Sequence, residues 1–161
     1  PNVKIGIIES YRPGSNTDTI AILHCGDKHA ILPLYTNSTT YSKYLLAIDE
    51  FFKNESIKHT EFWQYESTAK SKEDGALEEY LFSGSGDAKD YIKKNSKKIA
   101  LRLIAEGEEE KLVKLLETGV VSKPTLKVIL PKVKEQDMTA AQSYVLEQLN
   151  KKGISENKFA I

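Results

Sequence analysis

Sulfur is nearly absent from this chain, with one cysteine, Cys25, and one methionine in 161 residues. A single cysteine cannot build an internal disulfide framework and fits a reducing compartment, so a cytoplasmic location is expected. Long apolar runs are lacking too. No stretch reaches the roughly 18 to 20 residues that a membrane-spanning helix needs. The opening VKIGII is too short for a signal h-region and has no small-residue cleavage site. No membrane partner is therefore expected. The first residue is Pro1 rather than methionine, which reads as a chain processed or cut from something longer.

Net charge is also absent, 23 basic residues balancing 23 acidic ones, but the balance is uneven along the chain. Residues 1 to 84 carry 8 Lys or Arg against 12 Asp or Glu, and residues 85 to 161 carry 15 against 11. A split of −4 and +4 suggests two units that attract each other, or a basic surface offered to an acidic partner. Hydrophobic residues make up 40%, enough for a core and too many for a disordered chain.

The first third reads as sheet. Val3 to Ile8, Thr19 to His24 and His29 to Tyr35 are apolar or β-branched runs, and CGDK between the last two is a hairpin signal. Pro33 cannot donate to a ladder, so the third strand is expected at an edge or ending there. Leu45, Ile48 and Phe52 form a helical stripe, with Tyr44 and Phe51 beside it and Thr40 or Ser42 as cap. KHTEFWQY alternates and reads as a fourth strand, STAKSKEDG as a polar loop and ALEEYLF as a short helix. The aromatic residues Phe51, Phe52, Phe62, Trp63 and Tyr65 read as core.

FSGSGD marks a joint, with Asp87 as N-cap, and everything from there to about Lys152 reads helical. The helices are bounded by Gly107, Gly119 and Gly153, with Ser122 capping the third and Pro131 inside it. The expected fold is α+β: a small, mainly antiparallel sheet with a packed helix, then two helical hairpins. The domains are 1–84, 87–153 and a tail, 154–161.

Gly107, Leu112, Leu115-Leu116 and Gly119 give G-x4-L-x2-L-L-x2-G, with Leu103 and Ile104 preceding. This spacing resembles the second half of an ankyrin repeat. A weaker pass runs from Thr125-Leu126 through Ala141, Tyr144 and Val145, offset by roughly thirty residues. The likeness covers residues 98–150. Pro124-Thr125-Leu126-Lys127 stands where such repeats begin Thr-Pro-Leu-His. The resemblance implies a protein-binding scaffold with no catalytic residues, its two helical hairpins leaning on the N-terminal unit for burial.

Four stretches invite chemistry. HCGDKH sets His24 opposite His29 across a tight hairpin, within reach of one metal ion, while Cys25 faces the other way. A third ligand would come from elsewhere, such as His59 or Asp49. SGSGD offers a glycine turn at a helix start, but without G-K-[ST] a linker with a cap is the simpler reading. Lys93, Lys94, Lys97, Lys98 and Arg102 line one basic helix face, suited to an acidic protein or to phosphate. Little aromatic interleaving supports base stacking there. Glu108, Glu109 and Glu110 are spread about 100° apart around a helix start and cannot converge on one metal. They complement its dipole instead.

Together these features point to a non-catalytic protein-interaction or scaffolding module that contacts its partner through Lys93, Lys94, Lys97, Lys98 and Arg102 and needs no cofactor. A nucleic-acid-binding module using the same face is one alternative. A small metal-dependent enzyme at His24 and His29 is the other.

Overall fold

The structure is a computed structural model that describes residues 3–8, 20–33, 38–66 and 68–159. The chain forms β1 (Val3–Ile8), β2 (Ile20–Cys25), β3 (Lys28–Pro33), α1 (Tyr41–Lys53), a 3-10 turn (Phe62–Tyr65) and α2 (Ala69–Ser83). It continues with α3 (Gly86–Ala105), α4 (Glu109–Glu117), α5 (Lys123–Glu135) and α6 (Thr139–Phe159). This is the expected α+β class. Contacts divide it into two compact units, Pro1–Lys89 and Asp90–Ile161.

In the first unit the strands form an antiparallel sheet in the order β1-β2-β3. Gly26, at φ +61°, opens the two-residue turn between β2 and β3, as a type II′ hairpin requires. Alternation then sorts the side chains. Leu23 and Ala30 join Tyr44, Phe51 and Phe62 in an aromatic core on the α1 side. Ile31 and His29 lie on the other face, where Ile31 meets α2 at Gly75 and His29 stacks on Phe82. Pro33 ends an edge strand, as expected.

Three local expectations give way to tertiary contacts. The 58–65 segment is no strand: Phe62–Tyr65 closes a 3-10 turn, burying Phe62 and Trp63 together where alternation would split them. STAKSKEDG is no loop: α2 starts at Ala69, with the Thr68 hydroxyl accepting from the Ser71 backbone N–H at 3.1 Å. Helix α1 is rotated from its expected stripe. Tyr44 and Phe51 are buried, leaving Leu45 47% and Phe52 50% exposed. The sequence offers two apolar stripes about one residue apart, and the edge-on packing of Tyr44 and Phe51 against Phe62 selects between them. The end of α1 is held by Lys28, whose Nζ donates to the carbonyls of Phe51 and, at 2.9 Å, Asn54.

The second unit is helical. Ile92, Ile99, Ala100, Leu103 and Ile104 bury one side of α3; Leu112, Leu115 and Leu116 bury one side of α4. The Ser122 hydroxyl caps α5 at Thr125 N (3.4 Å), and Pro131 sits within that helix. Gly153 does not stop α6, which runs on to Phe159 through the expected tail. The ends of α3 and α5 are built alike. Glu108 N–H reaches the Leu103 carbonyl (2.9 Å) and Gly107 N–H that of Ile104 (3.2 Å). Thirty residues on, Met138 N–H reaches Val133 (2.9 Å) and Asp137 N–H reaches Lys134 (3.1 Å). Both are Schellman closures around a left-handed residue, Gly107 at φ +72° and Asp137 at φ +55°.

A Cβ at Gly107 would meet no atom within 4 Å, so substitution there tests the backbone alone. Gly107→Ala is expected to lower the unfolding free energy by about 1 to 2 kcal/mol in urea titrations. Gly107→Asn should cost less, since a short polar side chain tolerates the left-handed region.

Candidate functional site

On α3, Lys93, Lys94, Lys97 and Lys98 are all exposed, on the side away from Ile92, Ser96, Ile99 and Ala100. Helical spacing brings 93 beside 97 and 94 beside 98. Arg102 stands apart from them. Its side chain is only 16% exposed, and its Nη1 is 3.2 Å from Glu106 Oε2. The open basic face is therefore the four lysines, and Arg102 is held at its end by an acid one turn on.

The hairpin sets His24 directly opposite His29. Their Nδ1 atoms are 3.3 Å apart, and their ring centroids 4.7 Å. His29 is buried and stacks on Phe82 at 3.4 Å between centroids and 14° between planes. Burial pushes its pKa down to about 4, and His24 and His59 nearby add to the effect. Cys25 is a free thiol, and strand alternation turns it from His24. Among the described residues, no group of three or more His, Cys, Asp or Glu is placed to hold a metal. None of the described helices is long and apolar enough to cross a membrane.

SGSGD is already used by the protein itself. Gly84, at φ +69°, ends α2, and the Ser85 hydroxyl accepts from Ala88 N–H at 3.2 Å, a capping role expected of Asp87. Ser85 also donates to the Glu61 carboxylate, which takes a second hydrogen bond from the Trp63 indole. A carboxylate thus sits beside the start of α3, where a bound phosphate would be expected to go.

The structure splits the acidic triad. Glu109 Oε1 accepts from the backbone N–H groups of Ala140 (2.9 Å) and Ala141 (3.1 Å), capping α6 from another helix. Local sequence assigns Glu109 only to its own helix start, because nothing local signals a bond spanning some thirty residues. Glu109, Glu110, Val113, Lys114 and Glu117 line, with Ala140, an open groove of about 500 Å³. The Tyr144 hydroxyl donates to Glu117 at 3.0 Å beside it.

Sequence reading also missed the polar interior around α2. Glu66 and Glu79 are buried, and among the described residues neither carboxylate makes a well-formed hydrogen bond, Ser71 lying near the first and Ser83 near the second. Burial pushes Glu66 up to about 8, and the Asp74 charge adds to it. The Ser71 hydroxyl, which also shares a hydrogen bond with Thr68 at 2.7 Å, offsets part of the rise. Burial, then Glu61, pushes Glu79 up to about 7. The signal in the sequence is the lack of any apolar stripe in AKSKEDG.

No family model, curated protein or solved structure matches this chain.

Glu109→Ala is expected to cost about 1 kcal/mol or more in urea unfolding, because two helix-start N–H groups lose their acceptor. Glu66 gives a pH dependence. Its folded pKa lies above the unfolded value of 4.5, so between 4.5 and about 8 the folded state binds more protons. Stability contributed by the protonated group is thus lost as pH rises through that interval. Glu66→Gln should flatten the fall in unfolding free energy between pH 5.5 and 8.5, by about 2 to 4 kcal/mol.

Proposed function

We propose that this chain is a non-catalytic protein-interaction or scaffolding module of the cell interior, with an ankyrin-like helical part. Its exposed lysines Lys93, Lys94, Lys97 and Lys98 dock an acidic partner. The observation that carries this reading is the lysine face itself: four cations on the open side of a helix whose opposite side is buried. Such a face offers strong, orientation-setting attraction to clustered carboxylates, weakened by salt.

Two further features support it. The helix ends recur at thirty residues with the same hydrogen bonds, as stacked helical-hairpin repeats require. The Schellman turns and the Glu109 cap fix the hairpins, giving a rigid platform suited to recognition. The lone free thiol, Cys25, suits a cytoplasmic setting. Residues 98–150 carry the ankyrin likeness and Arg102 borders the contact face.

The test is a nuclease-treated pull-down from native lysate, with the wild type beside a variant carrying Lys93→Glu, Lys94→Glu, Lys97→Glu and Lys98→Glu. The wild type should retain acidic proteins that 0.5 M salt releases, and the variant should retain less than about a tenth as much, with an unchanged circular dichroism melt. Equal recovery by the variant would overturn the contact assignment. Recovery that disappears with nuclease, together with a mobility shift of a plain DNA duplex, would replace the acidic protein by nucleic acid.

A further inference from the structure

The His24–His29 pair has a geometry that the lysine face does not explain. The β2–β3 turn closes on the pair Cys25 and Lys28, so His24 and His29 form the next pair along. His29 N–H points away from β2, to the Lys58 carbonyl at 2.7 Å. The two histidines are therefore a non-hydrogen-bonded pair, the kind in which antiparallel strands bring opposed side chains closest.

We propose that His24 and His29 chelate one divalent transition-metal ion of the zinc type through their Nδ1 atoms. Zinc binds imidazole nitrogen at about 2.0 to 2.1 Å, so two ligands at a tetrahedral angle stand about 3.3 to 3.4 Å apart. The two Nδ1 atoms already stand at 3.3 Å. Binding takes the place of the Nδ1 hydrogen bond, the donor ring's proton passing through solvent to its own Nε2, and the rings turn toward the ion with little change in the nitrogen–nitrogen distance. His29 is held in place by burial and by its stack on Phe82. His24 is exposed and gives the ion a route from solvent. Ligation at Nδ1 leaves each ring protonated at Nε2. Among the described residues His29 Nε2 has no hydrogen-bond partner, so ligation at Nδ1 leaves no additional described group unpaired.

Two nitrogens supply half a tetrahedral shell, and water completes it. The site is thus weaker than a four-ligand structural centre. Imidazole nitrogen favours zinc, copper or nickel over magnesium or calcium, which prefer oxygen. An ion there bridges β2 and β3 at the end of the hairpin, so it should stabilise the fold by mass action.

The test uses the full chain freed of metal by chelator, titrated calorimetrically with zinc chloride and, separately, magnesium chloride. One zinc ion per chain is expected, with no magnesium binding. Zinc should also raise the melting temperature in a concentration-dependent way. His24→Ala removes an exposed side chain and should keep the native circular dichroism spectrum while weakening zinc at least tenfold. His29→Asn, if it folds, should do the same. In the wild type, zinc should shift the His24 and His29 ring resonances in long-range nitrogen–proton spectra, Nδ1 more than Nε2. Absence of a one-to-one zinc isotherm, or equal zinc affinity in His24→Ala, would overturn the proposal.

Discussion

The helical unit depends on two backbone positions that most side chains resist. At Gly107 and Asp137 the chain enters the left-handed region, and the preceding helix closes on itself through its last carbonyls. Only there can α3 and α5 each stop cleanly and the chain turn at once into α4 and α6. Every buried leucine of α4 lies downstream of that turn. Glycine meets the requirement without strain in the first hairpin. Aspartate meets it in the second, being among the few residues that tolerate the region.

Capping from a distance consolidates that arrangement. Glu109, the first residue of α4, spends one carboxylate oxygen on the opening N–H groups of α6. It joins the hairpins by a charge-assisted contact at the site where the helix dipole favours a negative charge. The four lysines of α3 lie exposed on the side opposite its buried residues.

The sheet unit solves a different problem. Helix α2 has no apolar stripe, yet Ser71, Glu73, Gly75, Ala76, Leu77 and Glu79 are all buried. Burial keeps Glu66 and Glu79 protonated well above the usual carboxylate range, because an ionised group there would lose its hydration for only a partial return from the nearby Ser71 and Ser83. His29 shows the converse, its neutral ring stacked on Phe82 and its pKa held low. Part of the interior is thus tuned by protonation as well as by packing.

Local chemistry in the sequence determined whatever depends on one or two neighbours. Gly26 in its turn, Ser122 before Pro124, Gly107 and Gly119 at their helix ends, and the facing of His24 and His29 all follow from φ preference, capping or alternation. So does the exposure of the four lysines, since their spacing sets them opposite Ile92, Ile99 and Ala100. Tertiary structure decided the rest. Two apolar stripes on α1 differ little in local energy, and only the aromatic partners favour Tyr44 and Phe51 over Leu45 and Phe52. Phe62 and Trp63 follow the core rather than strand alternation, and AKSKEDG is helical because its neighbours bury it. Neither the bond from Glu109 to α6 nor the 3.3 Å between two imidazole nitrogens could be read from spacing, because each depends on where a distant or opposing backbone comes to rest.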